Sequence, residues 1–110
     1  MNELPEFPDG TLWYATGSRV ICDPPPDDTD YDVVVLKVAP IDLTGWTCES
    51  ACGEYVPQFV SYRRGKVNLI VTDDAEFYDR FVAATRVAKR LNLLKKEDRI
   101  ALFQAVLYGN

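Results

Sequence analysis

The apolar pattern of this chain changes period at Thr72, and that switch limits the folds open to it. Upstream, Gln58 to Arg63 and Lys66 to Thr72 have the length and composition of two strands. The dipeptide Arg64-Gly65 joins them as a hairpin turn, with glycine at the left-handed position. Downstream, Phe77, Phe81, Ala84, Ala88 and Leu91 recur at helical spacing and form one stripe to be buried. Asp73-Asp74-Ala75-Glu76 reads as a capping box, with Asp73 as N-cap and Glu76 at N3. Asn92-Leu93-Leu94 breaks the pattern. A second helix then buries Ile100, Phe103 and Leu107 and ends at Gly109.

Two more strands are expected. Thr11 to Thr16 leads into Gly17-Ser18, and residues 31–38 carry the β-branched run Val33-Val34-Val35. Between them, Arg19-Val20-Ile21-Cys22 has room for one helical turn before Pro24-Pro25-Pro26. Residues 1–10 read as an extended arm, and Asp42 to Gly53 as irregular chain or a short helix around Trp46. The expected fold is α/β: a mixed sheet of about four strands (11–16, 31–38, 58–63 and 66–72) carrying two C-terminal helices (74–91 and 96–108). Phe77, Phe81 and Phe103 read as core rather than as a base-stacking surface.

At 110 residues and 47% hydrophobic, the chain suits one domain with a modest core. It has no apolar run near the ~20 residues of a membrane span, and its acidic start is unlike a signal peptide. The expectation is a cytoplasmic protein that makes no membrane contact. Histidine is absent, which excludes Ser-His-Asp and Cys-His catalysis and histidine zinc ligands. Cys22, Cys48 and Cys52 read as reduced thiols, most simply as small buried side chains.

Charge is uneven. Residues 1–32 hold eight acids against Arg19, a balance of −7, while residues 33–110 hold eleven bases and nine acids. An acidic pole repels bare nucleic acid and suits divalent cations, so no strong nucleic-acid footprint is expected. Arg86, Lys89, Arg90, Lys95, Lys96 and Arg99 read as the wet side of the two helices. Arg19, beside Gly17-Ser18, together with Arg63, Arg64 and Lys66 around the hairpin turn, are candidate phosphate clamps.

The acidic pole contains a pattern of its own. Asp30 and Asp32, two apart at a strand start, point to the same side, and carboxylate oxygens suit Mg²⁺. Gly17-Ser18 upstream could present backbone N–H groups and a hydroxyl to phosphate. A plain turn at Gly17 followed by a solvated acidic loop from Asp27 to Asp32 is the alternative.

Thr16-Gly17-Ser18-Arg19, followed by Asp28-Thr29-Asp30-Tyr31-Asp32-Val33-Val34-Val35, resembles the nucleotidyltransferase superfamily, the DNA polymerase β-like fold. The segments Phe59 to Thr72, Glu76-Phe77-Tyr78, Lys96 to Ile100 and Phe103 to Tyr108 look like small bacteriophage proteins of the nucleotidyltransferase-like kind. That likeness covers nearly the whole chain. It implies Mg²⁺ or Mn²⁺ held by Asp30 and Asp32, a nucleoside triphosphate cradled by Gly17 and Ser18, and a third catalytic position at Asn68. It further implies transfer of a nucleoside monophosphate to a hydroxyl on protein, RNA or a small molecule, in a host cytoplasm. The chain has no room for separate fingers and thumb.

Asn68 departs from the pattern. An amide can ligate a hard cation but brings no charge and accepts no proton; Glu54 or Asp73 would have to supply the missing carboxylate. Two readings stay open: a minimal nucleotidyltransferase, or a degenerate relative that acts by binding a host factor.

Overall fold

β-branched residues favour extended backbone, and a run buried on both faces needs no alternation. Val33, Val34 and Val35 are all fully buried, in the middle of the sheet. The computed structural model describes residues 4–25, 30–49 and 59–108. In chain order the elements are β1 (Leu12–Thr16), α1 (Ser18–Ile21), β2 (Tyr31–Leu36), β3 (Thr47–Cys48), β4 (Val60–Arg64), β5 (Val67–Thr72), α2 (Ala75–Leu91) and α3 (Lys96–Tyr108). The strands form one mixed sheet in the order β1-β2-β5-β4-β3. β2 and β5 run parallel, and every other pairing is antiparallel.

Period two divides β2 and β5 between two faces. Val33, Val35, Val67, Leu69 and Val71 make a core on one face, covered by Leu4 and Phe7 of the N-terminal arm and by Ile41, Leu43 and Trp46. The arm therefore packs along the sheet. Helix α2 contacts β1, β2 and β5, and α3 packs chiefly on α2. Ile21, Cys22 and Ala88 are buried where the three helices meet, with Leu93, Leu102 and Phe103 against them.

Several expectations need correction. The sheet has five strands, not about four, because Thr47–Cys48 pairs with β4 inside the stretch read as irregular. The second expected strand stops at Leu36, short of residue 38. The N-cap of α2 is Asp74, whose carboxylate accepts from the N–H groups of Glu76 and Phe77. Asp73 lies one residue outside it. Thr72 Oγ1 decides between the two, since it takes the Asp74 N–H at 3.0 Å and fixes the turn. Leu91 and Ile100, expected to be buried, are exposed. Helix α3 has no fully buried residue, and Phe103 and Leu107 are only half-buried. Cys48, expected inside, is exposed; Cys22 is buried.

Arg99 does not belong to a wet face. Its Nη1 donates to the carbonyls of Leu93 and Leu94 at 2.9 and 2.8 Å and lies 3.1 Å from Cys22 Sγ. Carbonyls just past a helix end have no partner within the helix, and a cation satisfies them well. Cys52, Glu54, Gly53, Gly109 and the acids Asp27 and Asp28 lie outside the described residues.

Candidate functional site

Strand register brings three of the candidate residues, Asp32, Asn68 and Arg63, into one row. Thr16 of β1 is opposite Asp32 of β2, Asp32 is opposite Asn68 of β5, Asn68 is opposite Arg63 of β4, and Arg63 is opposite Thr47 of β3. Directly opposed residues share a face, so one row crosses all five strands. It faces the helices: Thr16 Oγ1 lies 2.7 Å from Thr85 Oγ1 of α2, and both residues are buried.

Gly17 follows Thr16 and has φ 83 and ψ −178, backbone that is essentially restricted to glycine. Glycine is also needed for space, because a Cβ there would overlap Asp32 Oδ2 and come within 3.0 Å of Asp32 Cβ and Cγ. The turn and the carboxylate are therefore in van der Waals contact. Asn68 Nδ2 donates to Asp32 Oδ1 at 3.3 Å. Asn68 Oδ1 is buried and finds no hydrogen-bond partner among the described residues. Burial raises the Asp32 pKa above its ordinary 3.8; the Asn68 bond opposes that rise, the charge of Asp30 adds to it, and Arg63 opposes it.

Asp30 lies just ahead of β2 and turns to Arg63, with Oδ2 3.2 Å from Nη1. The same guanidinium donates from Nε to Glu49 Oε1 at 2.7 Å. Both acids are about half exposed, and such pairs contribute about 0–1 kcal/mol, so an incoming anion can draw Arg63 away cheaply. Arg63, read as a phosphate clamp, is held by two carboxylates in this state. The Glu49 partner has no local signal in the sequence.

The other clamps are dispersed. Arg19 lies over the Tyr31 ring at 5.5 Å, and Arg64 over Trp46 at 4.7 Å. Lys66 is an exposed turn residue whose carbonyl accepts from Tyr31 N at 2.7 Å. Ser18 opens α1, where its carbonyl accepts from Cys22 N. Asp73 cannot replace Asn68 as a third carboxylate. It follows Thr72, which is four residues beyond Asn68 on β5, or about 13 Å at ~3.3 Å per residue.

Thr16, Gly17 and Asp32 also line a cavity of about 310 Å³ shared by the sheet and helices α1, α2 and α3. Sequence reasoning assigned its aromatic walls, Phe81 and Phe103, to the core. They are in T-shaped contact with centroids 5.0 Å apart, and each is only half-buried.

The donor set suits a hard cation. Two carboxylates and an amide are oxygen ligands of the kind Mg²⁺ or Mn²⁺ takes. The terminal torsion of Asn68 is broad and two-fold, so half a turn exchanges Nδ2 for the unpartnered Oδ1. Among the described residues no three acidic or thiol side chains cluster, so a cation here would rely on Asp30, Asp32 and that amide. No helix is long and apolar enough to cross a membrane, among the described residues. Comparison with protein-family models, with curated proteins and with solved structures gives no match to this chain.

A raised folded-state pKa contributes stability below the unfolded value of 3.8 that is lost as pH rises through the folded value, so ionised Asp32 costs stability at neutral pH. Asp32→Asn should therefore raise the melting temperature of the metal-free protein at pH 7, with the advantage vanishing below about pH 4. Thermal melts at both pH values check this, and an unchanged or lower melting temperature at pH 7 would contradict it.

Proposed function

We propose that this protein is a nucleotidyltransferase-like domain that binds a nucleoside triphosphate together with Mg²⁺ or Mn²⁺ and transfers a nucleoside monophosphate slowly to a hydroxyl acceptor. One observation carries the reading: Gly17 is packed on Asp32 in the row where Asp32 faces Asn68, whose amide oxygen is buried without a partner. Asp30 and Asp32 would hold the cation, and Asn68 would offer it an amide oxygen. Gly17 and Ser18 approach the β- and γ-phosphates, with Arg63 released from Asp30 as an anion arrives. Arg19 directly follows Gly17-Ser18 in the chain and supplies positive charge beside them, while Lys66 lies at the exposed hairpin turn outside the row.

The cation supplies charge neutralisation to the triphosphate. The acceptor oxygen would form a bond to the α-phosphorus as the bond to pyrophosphate breaks. Asn68 limits this chemistry, since it brings no negative charge and takes no proton. Transfer slower than binding is the expected consequence. The same residue favours a second reading, a degenerate relative that binds a host protein and transfers nothing.

Asn68→Asp separates these readings. A second charge opposite Asp32 should tighten Mn²⁺ in the presence of ATP by about 1.5–3 kcal/mol, the range for a hydrogen bond to a charged group. Without metal, the two opposed carboxylates should lower the melting temperature, and Mn²⁺ should restore it. Calorimetric titration of Mn²⁺ and ATP measures the first effect. Release of labelled pyrophosphate in the presence of host lysate then reports transfer. Should wild type and variant both fail to bind, the nucleotide reading falls and the binding-protein reading replaces it.

A further inference from the structure

Beyond Asp32 and Gly17, the cavity is almost wholly apolar, walled by Ile21, Ile70, Phe81, Phe103 and Leu107. Of its polar lining residues, Thr16 has its hydroxyl on Thr85, and Arg99 has its Nη1 on the carbonyls of Leu93 and Leu94. Asp32 is the acidic residue of the lining. A volume of about 310 Å³ is at the small end of ligand sites, which run from ~300 to 1,000 Å³.

We infer that this cavity is the acceptor subsite of the same centre and takes a small aromatic ring bearing a single hydroxyl, a simple phenol, with the hydroxyl at Asp32. The role given to the hydroxyl rests on the nucleotidyl-transfer reading; the binding does not. A nucleobase or a sugar fits these walls poorly. Each ring nitrogen, amino group or extra hydroxyl would leave water for a lining that is mostly apolar. A phenol has one polar group, and Asp32 is the carboxylate in an otherwise mostly apolar lining. Phe81 and Phe103, in edge-to-face contact, present ring surface to an aromatic guest.

The test uses the full-length chain and ¹⁹F NMR, with 4-fluorophenol as probe and fluorobenzene as the ring lacking the hydroxyl. 4-Fluorophenol should bind saturably and about tenfold tighter than fluorobenzene, the increment of one charge-assisted hydrogen bond. Ile100 lines the cavity yet is exposed, so Ile100→Trp fills the space from a position that tolerates bulk. It should weaken 4-fluorophenol binding by about tenfold or more and leave Mn²⁺–ATP binding unchanged; Leu107→Trp serves if that variant does not fold. Equal affinity for the two probes, indifference to the tryptophan, displacement of the phenol by adenosine, or no saturable binding would each overturn the assignment. Phenol binding blocked by Ile100→Trp in a protein that ignores Mn²⁺–ATP would sink the nucleotide reading and leave the cavity assignment standing. The converse result would sink only the latter.

Discussion

Gly17→Ala should cost about 2–4 kcal/mol in urea unfolding, the sum of a glycine-only backbone and a clash with a neighbouring strand. The backbone share comes from φ 83 and ψ −178, which an alanine Cβ disfavours. The steric share comes from Asp32, whose Cβ is anchored to β2 and leaves only its carboxylate free to swing aside. A displaced carboxylate breaks the bond to Asn68 Nδ2, so Mn²⁺–ATP affinity should fall along with stability. Gly45→Ala is the control. It has a similar φ of 88 but nothing within 4 Å of an added Cβ, so it should show backbone strain alone and leave ligand binding intact. Equal losses in the two variants would mean that contact with Asp32 plays no part.

The second large effect is on binding. Asp30→Asn combined with Asp32→Asn should reduce Mn²⁺–ATP affinity by at least about a hundredfold, from two charged contacts at about 1.5–3 kcal/mol each. The fold should survive. Loss of the exposed Asp30–Arg63 pair costs about 0–1 kcal/mol, and neutralising Asp32 removes a penalty of burial. Calorimetry on a variant with an unaltered circular dichroism spectrum therefore isolates the charge effect. If it binds as wild type does, the row is not a nucleotide site and the protein works through another surface.

Local periodicity made the framework legible. Alternation and β-branching marked the strands, and the shift at Thr72 marked α2, because both signals depend on neighbours within a few residues. What escaped was long-range or degenerate. A two-residue strand at Thr47–Cys48 exists only through its pairing with Tyr62 and Arg63. Asp73 and Asp74 are equivalent as caps until a hydroxyl from the preceding strand chooses between them. Arg99 looks like any surface arginine until the end of α2 is packed beside it. In the candidate site, period two could put Asp30 and Asp32 on one side, but it held no information on the Asp30–Arg63 pair, which bridges 33 positions of sequence. The apolar chamber beside Asp32 was hidden for a related reason: a half-buried phenylalanine in a helix reads the same whether it fills a core or lines a wall.

The two faces of the sheet answer to different demands. Thr16, Asp32, Asn68 and Arg63 are spaced by the backbone ladder, roughly 4.8 Å per strand, a distance that side-chain substitution does not reset. Val33, Val35 and Leu69 occupy the opposite face, where volume and fit govern. Mutational drift in that hidden layer can trade Val for Ile or Leu for Met and change how firmly the protein folds, while the polar row keeps its pitch. Such a domain can diverge widely in its interior and still present the same four side chains in the same line.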